Sequence, residues 1–147
     1  MSNLDDLYRE IILDHYRTPR NRGELPDPAI KAEGFNPLCG DEITVYLDVE
    51  DGVVKDIKIS GQGCSISQAS SSLMSAAVKG KTIDEAREKI LTFKRLMGLE
   101  KAVDDEPVNL RTLGEIAALA GVVKFPVRIK CATLAWNTLT EALTEQP

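Results

Sequence analysis

Histidine and tryptophan each occur once in this chain, cysteine occurs three times, and there is no basic excess: 18 Lys and Arg stand against 23 Asp and Glu, a formal net charge of −5. Each shortage excludes something. The acidic balance argues against nucleic-acid binding, because neutralising phosphates takes clustered Lys and Arg. No apolar run approaches the roughly 20 residues that span a bilayer, and Met1-Ser2-Asn3 leads straight into an acidic helical pattern without a secretory apolar region. No membrane association is expected, and the expected compartment is the reducing cytoplasm, where cysteines favour metal or redox chemistry over structural disulfides. An odd number of cysteines cannot close entirely into internal pairs. The run Ser70-Ser71-Ser72 has no His–acid partnership evident in sequence, so serine-hydrolase chemistry finds no support. Repeats and low-complexity tracts are missing too. At 147 residues, 43% hydrophobic and 28% charged, the chain reads as a single domain spanning 1–147 that needs no disulfide or metal merely to fold.

What is present is three cysteines in three differently built contexts: Asn36-Pro37-Leu38-Cys39-Gly40-Asp41, Gly61-Gln62-Gly63-Cys64-Ser65-Ile66-Ser67 and Arg128-Ile129-Lys130-Cys131-Ala132. Each lies beside a turn or a helix start, where a side chain can be aimed at a shared point. A thiolate trio with one nearby carboxylate, Asp41, makes a four-ligand soft-metal site of zinc or iron–sulfur type. Asp41 also suits a plain turn residue, and any one cysteine alone suits a small buried hydrophobe.

The pattern predicts an amphipathic helix from about Leu4 to Tyr16, capped by Ser2 or Asn3. His15 falls on its apolar face as a packed or partner-facing residue, not a ligand. From Thr18 to Pro37 an irregular loop is expected, with a short strand possible at Gly34–Asn36. Ile43, Val45, Leu47 and Val49 alternate with polar residues, Asp51-Gly52 forms a hairpin turn, and Val53 to Ser60 returns. The hairpin's open ends then bring Cys39 and Cys64 together. Further helices are expected over Ile66–Val78, from the capping box at Thr82–Glu85 to about Met97, and near Leu110–Ala120, ended by Gly121. An acidic stretch, Glu100–Glu106, precedes the last of these. Pro126 opens a final helix to about Thr144, with Trp136 and the leucines after it in the core and Cys131 near the helix N-terminus, where the dipole favours thiolate. The architecture is α+β: an antiparallel meander with helices on one side.

These residues resemble the U-type family of iron–sulfur cluster assembly, which includes IscU, the NifU N-terminal domains and SufU. The likeness runs through Leu7-Tyr8, Ile11-Leu13, His15-Tyr16, Pro19-Arg20-Asn21, the Cys39 and Cys64 motifs and the Cys131 segment. It implies the IscU-like (SufE/NifU-like) fold, a three-stranded antiparallel sheet carrying helices on one face. IscU proteins carry His immediately before the third cysteine, where this chain has Lys130. The segment from about 99 to 120 resembles a SufU-type insertion, and the surroundings of Cys64 and Cys131 are also similar to SufU.

The SufU branch implies a zinc-dependent sulfur acceptor, or a zinc-dependent sulfurtransferase in its own right, working with a SufS-like cysteine desulfurase and downstream cluster-assembly proteins. A scaffold that builds and passes on a transient iron–sulfur cluster is the alternative, and a structural zinc docking module the third. The implied ligands are Cys39, Asp41, Cys64 and Cys131, since a charged Lys130 cannot ligate. Three thiolates and a carboxylate around Zn²⁺ leave a formal charge of about −2, which Arg128 and Lys130 could offset unless they are merely a solvated pair. Cys39 is the expected persulfide acceptor because its turn should move cheaply, Cys131 is second, and Cys64 serves the metal only. The first helix and the Cys39 loop are the expected desulfurase contacts.

Overall fold

The computed structural model describes residues 3–99 and 114–144 (side chains from residue 6 onward). The Ser2 cap, the acidic stretch Glu100–Glu106 and the first residues of the helix expected from Leu110 lie outside these bounds. Three strands, β1 (Ile30–Asn36), β2 (Asp41–Glu50) and β3 (Val53–Gln62), form an antiparallel meander in the order β1-β2-β3. Helices α1 (Asn3–Arg17), α2 (Ser65–Val78), α3 (Ile83–Leu96) and α4 (Pro126–Thr144), with a 3₁₀ segment at Gly114–Lys124, complete the described fold.

Alternation decides which sheet face is covered. Ala32, Ile43, Val45, Leu47, Val54, Ile57 and Ile59 are buried together with Trp136, Leu139 and Leu143 of α4, while Lys31, Glu33 and Asp48 are exposed. A bulge at Asp48/Val49 shifts the register, so the buried positions of β3 run Val54, Ile57, Ile59 instead of strictly every second residue. Trp136 stacks on Phe93 with ring centroids 4.5 Å apart and planes 7° from parallel. Its indole N–H donates to Ser70 Oγ at 3.0 Å, and Ser70 in turn donates to the Ala132 carbonyl at 2.6 Å.

β1 begins at Ile30, so the strand is longer than the Gly34–Asn36 expected and the preceding loop is shorter. Of its inward residues, Ile30, Ala32, Gly34 and Asn36, only Ile30 is large and apolar, which hides the period-2 pattern. Gly34 is inward for a reason: a Cβ there would strike Thr138 and crowd Leu134 of α4. The loop before β1 is pinned across the edge of β3, where the Gly23 N–H donates to the Ile59 carbonyl and the Ile59 N–H donates to the Asn21 carbonyl, both at 2.9 Å.

The 3₁₀ segment also departs from the expected helix, since it passes through Gly121 and ends at Lys124. Gly114, not Gly121, takes a left-handed backbone (φ +60°). Burial of Ile116, Leu119 and Val122 holds the run together, overriding the stop signal that Gly121 carries in sequence.

A serine–histidine–acid contact does exist, although none was evident in sequence. His15 Nδ1 lies 2.7 Å from Ser72 Oγ, and Nε2 lies 2.8 Å from Glu115 Oε1. The carboxylate can only accept, so Nε2 donates to Glu115, and Ser72 Oγ also accepts the Arg20 N–H at 2.8 Å. Ser72 is 0% exposed, so no substrate reaches it, and the trio clasps α1, α2 and the 3₁₀ segment to one another.

Candidate metal centre

Three parts of the fold converge on one end of the sheet. The β1–β2 turn presents Cys39, and Asp41 is the first residue of β2, paired with Asn36 across the sheet. Cys64 is the N-cap residue of α2 with extended backbone (φ −72°, ψ 168°). Cys131 comes from the second turn of α4.

The ligand atoms of Cys39, Asp41 and Cys131 all lie within 4.8 Å of one another. Around tetrahedral zinc, with Zn–S about 2.3 Å and Zn–O about 2.0 Å, ligand atoms stand roughly 3.5–3.8 Å apart, so the trio already has the required scale. The Cys131 thiol donates to Cys39 Sγ at 3.1 Å. Cys64 stands outside this tightest cluster but adjoins it, since its backbone N–H donates to Asp41 Oδ1 at 2.9 Å. The sulfur pair in hydrogen-bond contact is thus Cys39–Cys131, whereas the open hairpin ends suggested Cys39–Cys64. Three sulfurs and one carboxylate are a donor set suited to zinc or to an iron–sulfur cluster.

Asp41 is 0% exposed, and a buried carboxylate needs donors. Its Oδ1 accepts the Cys64 N–H at 2.9 Å and the Ser67 hydroxyl at 3.1 Å, and its Oδ2 accepts Asn36 Nδ2 at 3.3 Å. Burial alone would raise the pKa of Asp41. The Cys64 N–H, the Cys131 thiol, the Ser67 hydroxyl and the Cys64 thiol outweigh it and hold the carboxyl below its ordinary value. Asn36 and Ser67 were not singled out from sequence. The available signal was positional: Ser67 sits three residues after the N-cap residue, and Asn36 opens an Asn-Pro turn.

Cys131 departs from expectation. Burial first, then its contacts with Cys39, Asp41 and Cys64, push its thiol well above the ordinary range. The dipole argument fails because α4 begins at Pro126, which places Cys131 beyond the first turn where that field acts. Cys64 is the cysteine at a helix N-terminus.

The two expected cations separate. Arg128 lies at the site, where Cys64 first and then Cys131 hold its guanidinium more firmly protonated than usual. Lys130 lines a cavity of about 310 Å³ on the far side of Asn36, with Phe35, Leu99, Thr133 and Asn137. Leu38, Phe125 and Val127 are exposed apolar side chains neighbouring Cys39 and Arg128 in the chain. A second, largely apolar groove of about 500 Å³ runs between Tyr8, Ile12 and Leu13 of α1 and Ile66, Phe125 and Arg128. No described helix is long and apolar enough to cross a membrane.

Comparison with known proteins gives a consistent picture. A sequence profile of the NifU-like N terminal domain matches residues 7–144. The zinc-dependent sulfurtransferase SufU of Bacillus subtilis is 46% identical over 145 residues, covering 99% of this chain and 95% of its own. The iron–sulfur cluster assembly scaffold protein IscU of Thermotoga maritima is 43% identical over 137 residues, covering 93% and 92% respectively. A solved structure from Fervidobacterium islandicum, described as a cluster assembly scaffold protein for the SUF system, superposes with a TM-score of 0.82 at 34% identity, covering 91% of this chain and 94% of that one.

Proposed function

The chain belongs to the NifU-like N-terminal domain family, and from that premise we propose that it is an iron–sulfur cluster assembly protein that binds zinc and accepts sulfane sulfur from a cysteine desulfurase in the cytoplasm. One observation carries the reading: Cys39, Asp41 and Cys131 converge within 4.8 Å while Cys64 adjoins them, and of these Cys39 sits on an open turn. Cys39, Asp41, Cys64 and Cys131 are the ligands, and bound zinc would keep their thiols deprotonated at neutral pH.

Cys39 is the acceptor. Gly40 takes a left-handed backbone (φ +67°) with open space around it, so the turn has room to bring the sulfur outward, whereas Cys131 is fixed on a helix. The Cys39 thiolate attacks the outer sulfur of the desulfurase persulfide, the S–S bond breaks, and the desulfurase cysteine leaves as a thiolate. Arg128 offsets negative charge at the centre. Lys130, on the cavity beyond Asn36, is not assigned that role. The exposed Leu38, Phe125 and Val127 and the groove beside α1 form the surface proposed to meet the desulfurase, and downstream cluster-assembly proteins receive the sulfur.

The test is desulfurase turnover with the protein zinc-loaded or metal-free. Strong stimulation by the zinc form, lost in Cys39→Ala, is the expected result, and no stimulation by the zinc form would sink the proposal. The second reading, a cluster scaffold, draws support from the Thermotoga maritima relative. Acid-labile sulfide with stoichiometric iron on the isolated protein would favour it. The third, a docking module, predicts no persulfide on any cysteine.

A further inference from the structure

Asn36 is the last residue of β1, is 7% exposed, and stands opposite Asp41 in the sheet. Its amide faces three partners. Oδ1 accepts the Leu38 N–H at 3.2 Å, which fixes which amide atom is the oxygen. Nδ2 donates to Asp41 Oδ2 at 3.3 Å and faces Cys131 Sγ at 3.8 Å. One buried planar group thus touches two of the four proposed ligands and the backbone immediately before a third, and its two ends cannot move independently.

We propose that Asn36 is a positioning residue that anchors the base of the Cys39 turn at Leu38 while holding Asp41 and Cys131 in place, so that Cys39 can swing about Gly40 without loosening the other ligands. The inference rests on reading this cluster as a metal centre. Two features besides the hydrogen bonds favour it. A Cβ on Gly40 would meet nothing within 4 Å, so the outer half of the turn has space to move. The inner half, by contrast, is tied through Leu38 to a residue of the sheet. Groups that orient metal ligands from behind typically change metal affinity or activity by about 10–100-fold when lost.

The experiment loads Co²⁺, as a spectroscopic probe, into the full chain and into Asn36→Ala and Asn36→Asp. Asn36→Ala removes both functions of the amide. Asn36→Asp keeps an acceptor for the Leu38 N–H but turns the donor facing Asp41 and Cys131 into a second acceptor. Three quantities are read: the rate of metal release to excess chelator, the cobalt ligand-field and sulfur charge-transfer bands, and the thermal midpoint of each metal-free protein. Both variants are expected to release metal at least about tenfold faster, with shifted ligand-field bands and metal-free midpoints close to the parent's. Parent-like release and spectra in Asn36→Asp would overturn the proposal. So would faster release that only follows a lowered metal-free midpoint, with bands unchanged, because that is loss of structure and not of ligand positioning. Absence of sulfur charge-transfer bands in the parent chain would instead overturn the reading of the cluster as a metal centre, and the inference with it.

Discussion

Gly63 occupies a place no side chain can share. A Cβ there would collide with the Asp41 carboxylate and come within 2.6 Å of Ser67 Oγ, so the glycine lets the backbone at the start of α2 close around a buried anion. Gly63→Ala must displace either the carboxylate or the Cys64 backbone, and overpacking of this kind commonly costs about 1–3 kcal/mol. The expected outcome is a fall in zinc affinity of about tenfold or more with the protein still folded, read by competition with a chromophoric chelator alongside circular dichroism. Unchanged affinity would show that the contact does not position the ligand. At this scale the sequence displayed the ligand types but not their supports. Cysteine and aspartate announce themselves by chemistry, whereas Asn36 and Ser67 matter only because the register puts Asn36 across from Asp41 and the helix start turns Ser67 inward. The proton affinity of Cys131 was illegible for a similar reason, since depth of burial is set by what packs over α4.

Elements with strong local signals formed where the residues said they would. The capping box at Thr82 is complete: the Glu85 N–H donates to Thr82 Oγ1 at 3.1 Å, and the Thr82 N–H donates to Glu85 Oε1 at 3.0 Å. Thr82→Ala is expected to cost about 1 kcal/mol in denaturant unfolding and to leave the metal centre untouched. The Thr82 N–H and hydroxyl hold the Glu85 carboxyl below its ordinary value of 4.5. A lowered folded-state pKa means that its contribution to stability is complete above pH 4.5 and fades as the pH falls below it. Glu85→Gln should therefore flatten part of the acid dependence of the unfolding midpoint, and an identical pH profile would exclude the role. Elements whose identity depends on tertiary contact were harder to read. β1 carries too few large apolar residues to advertise its alternation, and the 3₁₀ segment overrides Gly121 because Ile116, Leu119 and Val122 are buried on both sides of that glycine.

Across the whole molecule, the proposed metal centre joins β2, α2 and α4, while the His15–Ser72–Glu115 contact joins α1, α2 and the 3₁₀ segment. The meander and the single layer of helices were legible as a class because alternation and helical spacing are local. Which strand ends meet which helix was not, because it depends on how α4 crosses the sheet. A ligand that binds only the folded chain stabilises it by mass action, about 4 kcal/mol at a thousandfold excess over its dissociation constant. For a chain of this size that corresponds to a rise in thermal midpoint of roughly 8–16 °C, which calorimetry with and without chelator would measure. No change would mean that zinc does not bind the native fold selectively. The hydrogen-bonded sulfurs of Cys39 and Cys131 belong to residues 92 positions apart. On the ribosome, Cys39, Asp41 and Cys64 therefore emerge well before Cys131, and a half-made chain offers a metal three of the four proposed ligands. With the proposed ligand set, tight capture is expected to wait until α4 has docked, which would make metal loading a report that folding has finished.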